Sequence, residues 1–329
     1  MMQHSLLLWI VLLVGGVFGD EYVPVSVMEG DSVTLISNIT KLQKNEGLNW
    51  YINDATIIAK IDEDTQRSSV EEKEENLKSR LELNESTGSL TIINISKNDS
   101  RDYKLQTTGK IKGNPKIFKV IVNGVPIVEK NGVKSVSVMK GDSVTLHTGV
   151  TQKDGVMWTF QNSDLTHNQT GDLTITNIGN RQSGNYDLEI NTSRLSLRRT
   201  YLVVLIGEKP RVSVKKGESV FLSTGVKDIQ TFDLMLWIFE GRTIAEINKR
   251  GNSIYDSRDG RLQMNDKSGS LIISNSASTD AGDYNLIINS STQSLQRTIS
   301  VTVSNLGVFP GAEAGIVVGL LVFLWCLQL

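Results

Sequence analysis

The chain has 329 residues, a formal net charge of −2 and a single cysteine, Cys326. Its Asp and Glu are scattered among Lys and Arg, so no basic field exists to hold a nucleic-acid backbone. One cysteine excludes an internal disulfide framework, and the length is that of several small domains, each with a modest core.

From the N-terminus, a short polar start is followed by an almost wholly apolar run, Leu6 to Val17, closing on Val17-Phe18-Gly19. This pattern predicts a secretory signal peptide over residues 1–19, cleaved after Gly19. Beyond it the segment GDSVTL occurs at residues 30–35 and again at 141–146, and GESVFL follows at 217–222. Each copy precedes a tryptophan (Trp50, Trp158, Trp237), then a Ser/Gly-rich turn, an apolar alternation and a tyrosine (Tyr103, Tyr186, Tyr284). A period of this kind signifies one structural unit used three times.

Within the first unit Val25 and Val27 flank Ser26, and Val33 and Leu35 flank Thr34, the period-two alternation of strands with one buried face. Gly-Asp at 30–31 and 141–142 and Gly-Glu at 217–218 supply the turn between the first two strands. Leu48, Trp50 and Ile52 alternate with Asn49 and Tyr51 in the next strand. Leu90-Thr91-Ile92, Leu173-Thr174-Ile175 and Leu271-Ile272-Ile273 form a later one in each unit. Short strands with turn signals about every ten residues predict an all-β chain of tandem sandwiches, each made of two antiparallel sheets. The expected domains are residues 20–123, 124–207 and 208–304.

At the far end Ala314 to Leu327 is apolar, preceded by Glu313 and followed only by Gln328 and Leu329. Such a run is short for the roughly 30 Å hydrocarbon core. Small residues near Ser304, Asn305 and Gly307, then a spacer, predict a glycosylphosphatidylinositol-anchor signal within residues 305–329, with a transmembrane segment as the alternative. Asn-x-Ser/Thr triplets at Asn38, Asn84, Asn94, Asn98, Asn168, Asn191 and Asn289 are candidate N-glycosylation sites, Asn94 the weakest because it adjoins a core strand.

The Trp strand, the Leu-x-Ile strand and the turn Asp280-Ala281-Gly282-Asp283-Tyr284 together resemble the immunoglobulin superfamily over nearly all of residues 22–303. The resemblance implies that Trp50, Trp158 and Trp237 fill the core centres and that Tyr103, Tyr186 and Tyr284 form tyrosine corners. It also implies bottom salt bridges Arg80–Asp99 and Arg261–Asp280. Unit two, with the shortest Trp-to-Tyr segment and Gln182 at the Asp position, lacks that pair. The bridge cysteines of the family are replaced by Ser37 and Leu105, Thr148 and Leu188, and Thr224 and Leu286, which predicts sandwiches without the inter-sheet disulfide.

Nothing in the sequence points to catalysis, a metal or a cofactor. Only His147 and His167 remain once the leader is removed, and His147 is expected to face outward beside core Thr148. The acidic run at 62–75 is interleaved with lysine and arginine, as in a solvated loop. The chain resembles, loosely, the signalling lymphocyte activation molecule receptors, which implies a cell-surface receptor or adhesion protein on the extracellular face of the plasma membrane. Its expected partner is another membrane protein, an immunoglobulin-like receptor or a second copy of itself. The implied partner face is the outer sheet of unit one, with Asn49, Tyr51, Ile57, Ile58, Lys104 and Gln106. The alternative is a structural spacer or decoy without its own signalling role.

Overall fold

The computed structural model describes residues 21–71, 75–110, 113–124, 132–149, 155–226, 229, 232–256 and 258–305. The leader, residues 1–19, and the apolar tail, residues 306–329, lie outside the described residues. Unit one contributes β1 (Glu21–Met28), β2 (Ser32–Leu35), β3 (Glu46–Ile52), β4 (Thr56–Ile61), β5 (Ser68–Val70), β6 (Leu81–Leu83), β7 (Leu90–Ile92), β8 (Arg101–Gly109) and β9 (Lys116–Asn123). Unit two follows with β10 (Lys134–Met139), β11 (Ser143–Leu146), β12 (Val156–Phe160), β13 (Ser163–Leu165), β14 (Leu173–Ile175), β15 (Gly184–Asn191) and β16 (Leu195–Gly207). Unit three comprises β17 (Arg211–Lys215), β18 (Val220–Leu222), β19 (Leu234–Phe239), β20 (Arg242–Asn248), β21 (Gly251–Ile254), β22 (Leu262–Met264), β23 (Leu271–Ile273), β24 (Gly282–Asn289) and β25 (Gln293–Ser304). One turn of helix, Glu75–Lys78, and short 3-10 turns complete the described elements.

The fold is three tandem immunoglobulin-like sandwiches without an inter-sheet disulfide, each closed around its tryptophan. Trp50, Trp158 and Trp237 are fully buried. Their indole N–H groups donate to the carbonyls of Gly88, Gly171 and Gly269 at 2.9, 2.8 and 2.8 Å. A buried indole needs such an acceptor, so one bond fixes the core ring and the turn before β7, β14 or β23 together. The corner tyrosines are equally regular: Tyr103, Tyr186 and Tyr284 donate to the carbonyls of Asp99, Gln182 and Asp280 at 3.1, 2.8 and 2.9 Å. Burial pushes the phenols of Tyr186 and Tyr284 up to about 12.

Leu105, Leu188 and Leu286 are buried where the family's second cysteine would sit. The residues opposite contribute more than room. Ser37 Oγ donates to the Thr87 carbonyl at 2.5 Å and Thr224 Oγ1 to the Ser268 carbonyl at 2.7 Å, while Thr148 Oγ1 bonds Asp172 at 3.2 Å. Each hydroxyl therefore ties the end of β2, β11 or β18 to a neighbouring loop, a non-covalent tether in place of the missing bridge.

The units are not independent beads. One six-stranded sheet, β1-β9-β8-β3-β4-β5, belongs wholly to unit one. The next runs β13-β12-β15-β16-β2-β7-β6, so the front sheet of unit two continues without a break into the back sheet of unit one. The third, β14-β11-β25-β24-β19-β20-β21, repeats this between units two and three, and β18-β23-β22 closes the series. The seams are antiparallel pairings of Leu195–Arg198 with Ser32–Leu35 and of Gln293–Gln296 with Ser143–Leu146. The tandem sandwiches expected from the repeats thus share sheets with their neighbours.

Candidate interaction face

The outer face of unit one is built on β3, β4, β8, β9 and β1. Because Trp50 and Tyr103 point inward, alternation turns Asn49, Tyr51, Lys104 and Gln106 outward. Asn49 pairs across the strands with Gln106, and Tyr51 with Lys104, so the structure brings these four together. Asn49 Nδ2 donates to Tyr51 Oη at 3.3 Å, and Lys104 Nζ reaches Asp54 at 3.1 Å.

Ile58 corrects the sequence expectation: it is 1% exposed and belongs to the core. Trp50 pairs with Ala59 but Tyr51 with Ile57, leaving Ile58 as the extra residue of a bulge. Such a bulge puts two successive side chains on one side of the sheet, here Ile58 and Ala59 inward, and returns Ile57 to the outer face. The same face carries groups that sequence reasoning missed. Tyr22 is 63% and Ile121 51% exposed. Tyr22 pairs with Ile117, which in turn lies opposite Lys104. The alternation of Lys116–Asn123 was the available signal for Ile121.

The two bottom salt bridges form as expected. Arg80 grips Asp99 through both terminal nitrogens, at 2.8 and 3.0 Å, and Arg261 Nη1 reaches Asp280 at 2.7 Å. Burial works against both carboxylates, but the arginines and nearby backbone amides outweigh it and hold them below the ordinary range. Asp280 has a second cation that the sequence did not reveal, Arg258, at 2.6 Å, stacked 4.5 Å over the Phe239 ring. In unit two Gln182 takes over the turn, accepting from the Gly179 amide at 3.0 Å. Among the sequons, Asn38, Asn84, Asn98, Asn168 and Asn191 are exposed, whereas Asn94 and Asn289 are half-buried.

The other constructed sites are the seams. Asp31, in the first GDSVTL segment, is completely buried with Arg199 of unit two, whose Nε and Nη2 donate to its two oxygens at 2.7 Å each. Lys134 adds a third buried charge at 2.8 Å, and the Met28 amide donates to the same carboxylate at 2.8 Å. Arg199 Nη1 meanwhile bonds the Thr148 carbonyl at 2.6 Å, joining two units through one guanidinium. The second GDSVTL segment does the same: Arg297 Nη2 reaches Asp142 at 2.7 Å and Arg297 Nη1 the Thr224 carbonyl at 2.8 Å. For Asp31, burial alone would raise the carboxyl, but Arg199 and then Lys134 hold it below the usual carboxylate range. His147 points away from the core of unit two, as expected, but is half-buried. It lies in the second seam, Nδ1 3.1 Å from Asp172 and Nε2 2.9 Å from Ser294.

Residues 204–303 match the immunoglobulin I-set domain family. Among solved structures the chain is similar to Drosophila OTK extracellular domains 3–5, at 15% identity over 85% of this chain and 95% of that one, with a TM-score of 0.23. It is similar to Sidekick-1 immunoglobulin domains 1–5 at 16% identity over 87% and 60%, TM-score 0.23. CD84, a protein of the SLAM family, is similar at 18% identity over 30% of this chain and 100% of its own, TM-score 0.27.

Proposed function

We propose that the chain is a cell-surface receptor or adhesion protein of immune cells, displayed outside the plasma membrane, that binds another membrane protein through the outer face of unit one. The observation that carries this reading is the face itself. Tyr22, Tyr51, Ile57 and Ile121 stand on a sheet that no neighbouring unit continues, beside the Lys104–Asp54 ion pair. Aromatic and aliphatic groups held in water by a rigid sheet are the material of interface anchors, and the flanking charges set orientation and encounter rate. Replacing Tyr51 by Ala and Lys104 by Glu is expected to weaken binding to partner-bearing cells by at least about tenfold, equivalent to about 1.4 kcal/mol, with circular dichroism unchanged. Undiminished binding by the folded double variant would remove this face as the site.

The shared sheets favour a second role alongside binding, that of a stiff stalk. Screening the ectodomain against a panel of immune-cell ectodomains separates a receptor from a pure spacer, which would bind none of them. Anchoring by lipid at residues near Ser304 to Gly307 belongs to the same proposal. Among the described residues no helix is long and apolar enough to cross a membrane. Phosphatidylinositol-specific phospholipase C is expected to release the protein from expressing cells with Cys326 absent from it. Recovery of intact residues 314–329 on resistant cells would establish a transmembrane tail instead.

A further inference from the structure

Each seam consists of an acceptor and a donor, and among the described residues there are three acceptors, of which two are filled. An acceptor is the Gly-Asp/Glu-Ser turn followed by a strand edge. In it the carboxylate receives the backbone amide three residues upstream: Met28 for Asp31, Met139 for Asp142 and Lys215 for Glu218, at 2.8, 2.7 and 2.9 Å. The first two carboxylates then receive an arginine from the next unit. Glu218 has the same turn, is exposed, and meets no cation from the described residues.

The strand beside it, β18, pairs with β23 on one edge and with no described strand on the other. Phe221 is 51% exposed there, at the position of Thr34 and Thr145 in the filled acceptors. An unpaired edge with an apolar side chain beside it is a template for another strand.

The donor is a hairpin whose second strand carries Leu-x-Arg from its third residue, read as Leu197-Arg198-Arg199 and Leu295-Gln296-Arg297. Cross-strand register equates Arg199 opposite Leu188 and Arg297 opposite Leu286 with Lys116 opposite Leu105 in unit one. There the motif is absent: Asn114 replaces the leucine and Pro115, which has no amide to donate, follows it. The Pro115 carbonyl is taken by the Glu21 amide at 3.1 Å, and Lys116 turns to the Ile36 carbonyl of its own unit at 3.3 Å. Head-to-tail joining of copies, which would run on into filaments, is therefore closed at its donor end.

We propose that Glu218 and the Val220–Leu222 edge form a docking site for the hairpin of an immunoglobulin-type domain from a different chain, one whose last strand carries Leu-x-Arg near its start. This surface is separate from the outer face of unit one, and a partner could occupy both.

The probe is the chain itself with its donor opened by Asn114→Leu, Pro115→Gln and Lys116→Arg. Sedimentation of this ectodomain is expected to show concentration-dependent head-to-tail assembly below about 100 μM, weakened at least about tenfold by adding Glu218→Lys, while the unmodified ectodomain stays monomeric. A folded triple variant that remains monomeric, or assembles regardless of Glu218→Lys, overturns the proposal. Assembly of the unmodified chain that Glu218→Lys abolishes overturns the choice of a foreign partner and makes the occupant a second copy. Should the triple variant not fold, residues 208–305 repeated after Asn305 supply a correctly connected donor. Amide exchange at Val220 to Ser223 is then expected to slow at least about tenfold relative to the three-unit chain, and unchanged exchange overturns the site.

Discussion

Asp31→Ala is expected to destabilise the ectodomain by about 3–5 kcal/mol and to free unit one from unit two. The substitution leaves Arg199, with a side chain 0% exposed, and Lys134, at 2%, without the carboxylate that compensates them. It also leaves the Met28 amide without its acceptor. Two buried cations without a counter-charge cost far more than the lost pairing returns in solvent, so the strand pairing of Leu195–Arg198 with Ser32–Leu35 should open. A fall in the first melting transition on the order of 10 °C, with a larger radius of gyration in solution scattering, is the result to look for. Replacing Lys134 and Arg199 by Met in the same chain should restore most of the stability, because buried ionic groups exchanged together for apolar ones of similar volume are often neutral. Unit three is joined through a different pair, Asp142 and Arg297, and should melt unchanged.

Acid is expected to act on the same groups throughout the chain. The carboxyls of Asp31, Asp99, Asp172 and Asp280 are all held below the ordinary value of 3.8, by Arg199 and Lys134, by Arg80, by the Thr148 amide and His147, and by Arg261 with Arg258, each against the opposing effect of burial. A carboxyl depressed in the folded state contributes stability that is present above its unfolded value and is lost as pH falls through its folded value. Stability should therefore change little in this respect from neutrality to about pH 5 and fall steeply below about pH 4. Thermal melts across this range check it, and Asp31→Ala should show a shallower acid loss than the parent. A parent whose melting temperature at about pH 3 equals that at pH 7 would mean these pairs add nothing.

Alternation and the three tryptophans made the sandwiches legible because both follow from a single residue's burial, a local property. The Tyr103 corner and the Arg80–Asp99 bridge came instead from the resemblance to the immunoglobulin superfamily, which alternation alone does not supply. The bulge that buries Ile58 was hidden because residues 57–59 are three apolar residues in succession, and only pairing with Tyr51 and Trp50 decides which isoleucine turns inward. The seams were hidden for a different reason. Asp31 and Asp142 were read as turn residues, which they are, but their second role depends on an arginine 168 or 155 residues away. The repeat of Leu-x-Arg at the start of β16 and β25 was the trace left in the sequence. The outward position of His147 on unit two was legible, but its partial cover by Ser294 of unit three was not, a matter of assembly between units.

Amide exchange at three equivalent positions tests most directly whether the chain is one welded ladder. Ile36 and His147 sit just past β2 and β11, and their amides donate across the seams to the carbonyls of Arg194 and Thr292 at 3.1 and 2.9 Å. Ser223 occupies the same place past β18, where no described strand forms a seam, and serves as the internal reference. Native-state hydrogen exchange should find Ile36 and His147 at least about 100-fold slower than Ser223. Equal, rapid exchange at all three would contradict the shared sheets and return the chain to three beads on a string.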